Sequence, residues 1–417
     1  VMNEFYSSLQ ELAKDPSSEA VRALVRQRGV TMVKYFNSLA SHFEKLQADI
    51  NYSIKTKVEE INSLATQIQQ LNRQIYISEL DGNSANDLRD QRTLLVDKLS
   101  RIINIETNEV VVGKLPDGRD EKHFIITIGG KALVNHFNVC KLEVYQRDEA
   151  QRLNAEDIPN LYNIRWEDGN SVDITSGELR GYLDIRDGND GIVGVDGKTN
   201  SPKYKGIPYY LRKLNEFVRT FAMAFNEGLD GTSGHADGYR LDSVAGDPPS
   251  GIRFFTMLGN DGNPISSSDF LSLGADMNEI YKNITAKNFA VSLDIMEDLN
   301  AISCSGEAGQ VGNIENLNSL IKMRHNTHMF KEGAPEDYMK SLVATLGIDS
   351  QQAMRYRDNQ DVIVKQIDNR RLSVSGVLID EEMANLVRYQ HMYNACAKMI
   401  NVLAEVYDTL INRIGIG

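Results

Sequence analysis

His325 and His328 stand three residues apart in MRHNTHMF, a spacing that could offer two imidazoles to a metal ion. No cysteine or carboxylate beside them completes a ligand set, so they read as two solvated helix histidines. Asp184, Asp187, Asn189 and Asp190, in DIRDGNDG, supply the oxygen ligands that calcium prefers. They miss the alternate-residue spacing and the closing glutamate of a calcium loop, and a turn cluster is the better reading. Ile128-Gly129-Gly130-Lys131 lacks the second half of a phosphate-binding loop and reads as a hairpin turn. Glu381 and Glu382, behind Asp380, resemble paired catalytic carboxylates. In the first turn of a helix they instead complement the positive end of its dipole, with Asp380 or Ser375 as the cap. No nucleophile elbow, HExxH or CxxC occurs. The sequence therefore predicts no enzyme, no metal site and no cofactor.

The bulk properties narrow the class further. A net charge of −13 argues against nucleic acid as a partner, since a phosphate backbone would be repelled. No run of 18 apolar residues exists to cross a membrane, and there is no cleavable signal peptide. The three cysteines, Cys140, Cys304 and Cys396, are scattered and suggest neither a disulfide framework nor zinc. Aromatic residues are 7% of the chain, as in helical rods whose seams are filled by Leu, Ile, Val and Ala. The opening VMNEFYSSLQELA is already an amphipathic helix (Phe5, Leu9, Leu12), which predicts a segment preceding it.

Proline placement divides the chain: seven of nine prolines lie between Pro116 and Pro264. Proline breaks helices, so both ends should be helical and the middle mixed. After a break at Asp15-Pro16-Ser17-Ser18, with Ser18 or Asp15 as cap, one helix runs to about Leu80. Phe36, Leu39, Phe43, Leu46 and Ile50 step by three and four along it, as do Ile61, Leu64, Ile68, Leu71 and Ile75. Ile54 and Val58 bridge an eleven-residue step, a stutter in the heptad seam. Some sixty residues of helix would be roughly 90 Å long. Gln67, Gln69, Gln70, Asn72 and Gln74 mark its polar face. Asp81-Gly82-Asn83-Ser84 turns the chain into a returning helix with Leu88, Leu95, Leu99 and Ile102 on one side.

From Thr107 the period becomes two, with strands separated by Pro116-Asp117-Gly118, Gly129-Gly130 and Asp168-Gly169-Asn170. Helix returns at Ser176, and Leu211, Leu214, Val218, Phe221 and Phe225 form another seam. Residues 231–275 are a second excursion, with RLDSV and GIRFFTML as short strands. Helices resume near Ala275, where Leu342, Leu346, Ala353, Tyr356, Ile363 and Ile367 lead into the last one.

That last stretch, from Ser375 to Gly417, is the most regular. Ile379, Leu386, Tyr393, Ile400, Tyr407 and Ile414 recur every seventh residue, interleaved with Tyr389, Cys396, Leu403 and Leu410. Such an a/d seam marks a helix that lies along other helices. Cys396 on it should be a buried small hydrophobe. Phe36–Ile75, Leu211–Phe225 and Leu342–Ile367 are candidate partners within the chain for the half before about Tyr393. The half after it is left for assembly.

The expected fold is mainly α with β-rich insertions, a long helical bundle or coiled-coil rod built from both chain ends. Residues 1–105, 176–230 and 275–417 would form the rod. Residues 106–175 would be a β-rich inserted domain and 231–274 a second, irregular insertion.

SGVLIDEEMANLVRYQHMYNACAKMINVLAEVYDTL resembles the C-terminal signature of flagellar axial proteins. The segments Glu60–Ala65, Ala85–Arg92 and Ser176–Leu179 with Leu183–Asp187 narrow the resemblance to the hook-associated protein 1 (FlgK) family of the hook–filament junction. Their order and spacing match over nearly the whole chain. Two departures are Leu378, where the family usually has a polar residue, and the family's N-terminal helix, which this chain lacks. The resemblance implies a structural subunit exported by the flagellar type III apparatus to the outside of the cell. It would self-associate in a ring between the hook protein and the neighbouring hook-associated junction protein, with its terminal helix in the inner tube. It also implies an export chaperone bound by that helix. Leu386, Tyr389, Tyr393, Ile400, Leu403, Tyr407, Leu410 and Ile414 are the candidate assembly and chaperone residues. The competing readings are another axial protein, flagellin- or hook-like, and a secreted adhesin or enzyme mounted on a helical rod.

Overall fold

The computed structural model describes residues 1–80, 85–116, 118–376 and 379–408. The chain divides into two compact units, Val1–Lys340 and Ser341–Gly417. The expected turn at Asp81–Ser84, and Asp117 of the next turn, lie outside the described residues.

In the first unit, α1 (Met2–Lys14) buries Phe5, Tyr6, Leu9 and Leu12 on one face. Pro16 cannot continue it. α2 (Glu19–Leu80) then runs for 62 residues, with no proline and one glycine in its length. Ile50, Ile54, Val58 and Ile61 are all buried, so the helix carries its eleven-residue step without interruption. Two expectations fail on this helix. Leu46 is exposed, and the adjacent Gln47 is buried in its place. Asn72, assigned to the polar face, is buried as well.

The cause of both is the neighbour. Gln47 Nε2 donates to Asp157 Oδ1 (3.0 Å) and to the Arg186 carbonyl (2.9 Å), while its Oε1 accepts from Ile158 N (3.0 Å). Asn72 donates to the His136 carbonyl (2.9 Å) and accepts from Arg92 (3.1 Å). Loops and strands packed on a helix bring backbone groups that must be satisfied, and apolar periodicity does not encode them.

α3 (Asn86–Ile102) returns along α2 and buries Leu99 and Ile102. β1 (Glu106–Lys114), β2 (Asp120–Ile128), β3 (Lys131–Asn135) and β4 (Asn138–Val139) form an antiparallel sheet in chain order. Gly129 and Gly130 join β2 to β3 at φ 54° and 82°. A two-residue hairpin turn of this hand needs positive φ at both positions, which glycine adopts without strain. β5 (Leu142–Gln146) and β6 (Tyr162–Trp166) form a separate antiparallel ribbon, and Trp166 is buried.

α4 (Glu178–Asp187) begins after Gly177, at φ 94°. A Cβ there would stand 2.6 Å from the Ile102 carbonyl oxygen, so this junction of α3 and α4 requires glycine. α5 (Ile207–Glu227) buries Leu211, Leu214, Val218, Phe221 and Phe225, as its spacing predicts. β7 (Phe255–Met257) is followed by α6 (Ser267–Leu271) and α7 (Met277–Lys282), then pairs with β8 (Phe289–Val291). Phe5, Phe225, Phe254 and Phe255 meet with ring centroids 4.8–5.7 Å apart and close the core here. RLDSV is not a strand. The Arg240 carbonyl accepts from Ser243, and its guanidinium is drawn to Asp242 and Asp298, which fixes a turn. α8 (Leu293–Glu297) and α9 (Glu315–Lys322) complete this part of the chain.

α10 (Pro335–Ser375) starts in the first unit, where Tyr338 is buried and its hydroxyl donates to the Lys213 carbonyl at 2.9 Å. Its remainder and α11 (Ile379–Asp408) belong to the second unit. The terminal stretch is therefore not one helix from Ser375. Ser375 is the last residue of α10, and the Gly376 N–H bonds the Leu372 carbonyl at 2.7 Å.

Candidate assembly surface

α11 contains neither proline nor glycine, and Asp380, Glu381 and Glu382 occupy its first turn. Those carboxylates sit where the helix dipole favours negative charge, which accounts for them without catalysis. Across its 30 residues the seven-residue repeat keeps Ile379, Leu386, Tyr393, Ile400 and Tyr407 on one side, with Tyr389 and Leu403 beside them. All seven are exposed, from 52% at Leu403 to 76% at Ile379. Leu410 and Ile414, also expected on this surface, lie outside the described residues.

Two expectations are corrected on α11. Cys396 is exposed rather than buried. The half before Tyr393 was expected to be covered within the chain, yet Ile379, Leu386 and Tyr389 are as open as the residues that follow. The proposed partners on α10 are open too, with Leu346, Tyr356, Ile363 and Ile367 all exposed. An apolar seam becomes buried only against a second seam.

Sequence reasoning missed how wide the apolar surface is. Met383, Val387, Met392, Met399, Val402 and Val406 are also exposed and broaden the a/d stripe. The signal was present in the apolar residues adjoining the heptad positions. Methionine is unbranched and adapts to irregular partners, so such a surface suits more than one neighbour. Large exposed apolar surfaces on a folded chain mark interaction sites.

The residues singled out for chemistry take structural roles. His328 Nδ1 lies 2.9 Å from Asp230 Oδ2 at the surface, and neither His325 nor His328 is in an α-helix. No group of three His, Cys, Asp or Glu side chains placed to hold a metal occurs among the described residues. Asp187 is buried and bound by two guanidiniums, Arg186 Nη2 and Arg147 Nη2, each at 2.7 Å. Burial pushes its pKa up, but those two cations more than offset this and hold it below the usual carboxylate range. Burial and the nearby Asp187 push Asp157 the other way. Asn189 and Asp190 complete the turn, Asp190 at φ 58°. This network ties β5 and β6 to α2 and α4. Sequence reading could not find it, because its members are scattered from Gln47 to Asp187.

Residues 1–248 match the family model described as the flagellar hook-associated protein FlgK helical domain. Residues 369–413 match that of the flagellar basal body rod FlgEFG protein C-terminal. The flagellar hook-associated protein 1 of Bacillus subtilis (strain 168) is 26% identical over all of this chain and 76% of its own length. That of Salmonella typhimurium (strain LT2) is 24% identical over 99% of this chain and 80% of its own. The solved structure of the flagellar hook junction protein FlgK from Burkholderia pseudomallei aligns at 19% identity with a TM-score of 0.44, covering 61% of this chain and 40% of that one. No described helix is long and apolar enough to cross a membrane. With a helical-domain match over residues 1–248 of 417 and full-length relatives of one kind, the chain belongs to the flagellar hook-associated protein 1 (FlgK) family, structural proteins of the hook–filament junction.

Proposed function

We propose that the open seam of α11 is the surface by which this chain enters the flagellar axis. Leu386, Tyr389, Tyr393, Ile400, Leu403 and Tyr407, with Leu410 and Ile414 beyond them, pack against helices of neighbouring subunits. The observation that carries this reading is a coiled-coil repeat whose described members are all more than half exposed. In the same reading the subunits form a ring, meeting the hook protein on one side and the neighbouring hook-associated junction protein on the other. An export chaperone covers the seam beforehand, during passage through the type III apparatus to the cell exterior. Segments 106–175 and 231–274 are insertions in a helical body made of 1–105, 176–230 and 275–417. No catalytic role is assigned.

Burying one leucine contributes about 1.5–3 kcal/mol, and a carboxylate in its place adds a desolvation cost. Leu403→Asp should therefore weaken incorporation by roughly a hundredfold or more. The experiment is complementation of a strain lacking the protein, with junction content read by mass spectrometry of isolated hook–filament complexes. Loss of the chain from the junction, with normal secretion, is expected. Normal incorporation and motility would overturn the proposal. A pull-down of an export chaperone by the full chain, lost in the same variant, tests the second partner.

A further inference from the structure

His136 lies in the turn between β3 and β4, against α2, and is 6% exposed. Neither Nδ1 nor Nε2 has a hydrogen-bond partner among the described residues. Its ring is held by stacking instead. His123 of β2 lies 3.9 Å away by centroids and 10° from parallel, and Phe137 lies 3.9 Å away at 39°. Tyr76 of α2 presents an edge at 6.0 Å. The backbone around this ring fastens the sheet to α2. Asn72 Nδ2 donates to the His136 carbonyl and Gln69 Nε2 to the Phe137 carbonyl, both at 2.9 Å.

Charged groups surround the stack on every side, and they are already engaged. From β1, Glu109 accepts from Arg92 (2.9 Å) and Arg89 (3.3 Å) of α3, with Lys122 of β2 at 3.9 Å. From α2, Glu79 accepts from Arg89 at 2.6 Å, and Arg73 lies 5.8 Å from the centroid of the Phe137 ring. From β2, Glu121 stands 3.5 Å from Nε2 of His123. A proton added to the His136 ring would find no hydrogen-bond acceptor in place among the described residues. It would also place a cation face to face with a second imidazole.

We propose that this stack is an acid-sensitive latch: proton uptake by His136 releases the β3–β4 turn, and the sheet with it, from α2. The direction follows from linkage. Burial, and then His123, push the His136 pKa down to about 4. An open, solvated histidine titrates near about 6.5. The closed state is thus fully favoured above about pH 6.5, and below it opening gains about tenfold per pH unit until the lowered value is reached.

The test is amide exchange on the full chain between pH 7.5 and 5, corrected for intrinsic exchange rates. The side-chain NH2 groups of Asn72 and Gln69, bonded to the His136 and Phe137 carbonyls, report the release. Their opening constants should be flat above about pH 6.5 and rise roughly thirtyfold by pH 5. His136→Asn should abolish the rise, since asparagine tolerates the positive φ of 51° without carrying the proton. An unchanged slope in that variant, or no rise in the wild type, overturns the latch. Should the variant fail to fold, titration of the His136 ring by NMR in the wild type decides: a value near 4 supports the latch and one near 6.5 refutes it.

Discussion

α5 and α11 carry the same kind of pattern and meet opposite fates. Both place apolar residues at alternating steps of three and four. On α5 the seam is 4% exposed or less, because Phe217 stacks on Phe330 and Phe225 packs on Phe5. On α11 the equivalent positions are more than half exposed. Periodicity specifies a face to be covered; it does not specify what covers it. In the first unit the chain itself brings the partners. In the second unit the same pattern is exposed.

That contrast can be broken experimentally. Trp166 is the single tryptophan and is buried in the first unit, so its fluorescence reports that unit alone during urea unfolding. Phe221→Asp, on the covered seam, should cost about 5 kcal/mol or more and leave no folding transition. Arg186→Ala removes one of the two guanidiniums on the buried Asp187 and empties a fully buried site, and should cost about 3–5 kcal/mol in the same measurement. Gly177→Ala imposes a strained φ and a clash with Ile102 O, and should cost about 2–3 kcal/mol.

Acid should erode the first unit as well. His235 is buried, its Nδ1 donating to the Ile252 carbonyl at 2.7 Å and its Nε2 accepting from Ser303 N at 3.0 Å. Burial pushes its pKa down to about 4, so its contribution is whole above about pH 6.5 and is lost as pH falls toward 4. Stability should drop by about 2 kcal/mol between pH 6.5 and 5, visible as a lower urea midpoint. Leu403→Asp, on the open seam, should change the unfolding free energy in that measurement by less than about 0.5 kcal/mol while removing the chain from the junction. A large loss of stability in this last variant would mean the α11 seam is covered within the chain after all.

Much of the helical architecture was legible. The α2 run from Glu19 needed only the absence of proline, and the α5 stripe only its spacing. The Gly129-Gly130 hairpin turn followed from residue type. Leu46 was misassigned because hydrophobicity ranks leucine as the core residue, whereas the neighbouring loop needed the amide of Gln47. RLDSV was read as a short strand, but the Ser243 N–H on the Arg240 carbonyl and the charged pair Arg240 and Asp242 close a turn. The candidate assembly residues were visible as a seam, and only the half after about Tyr393 was expected to be open.

The sequence by itself determined where most helices run and which side of each is apolar. Those properties depend on local propensity and period. Only the tertiary structure decided which apolar faces are covered, which polar groups are buried between elements, and that the His136 ring sits in a stack of rings with no hydrogen-bond partner among the described residues. Those depend on contacts between residues far apart in the chain, and distance in sequence carries no record of proximity in space.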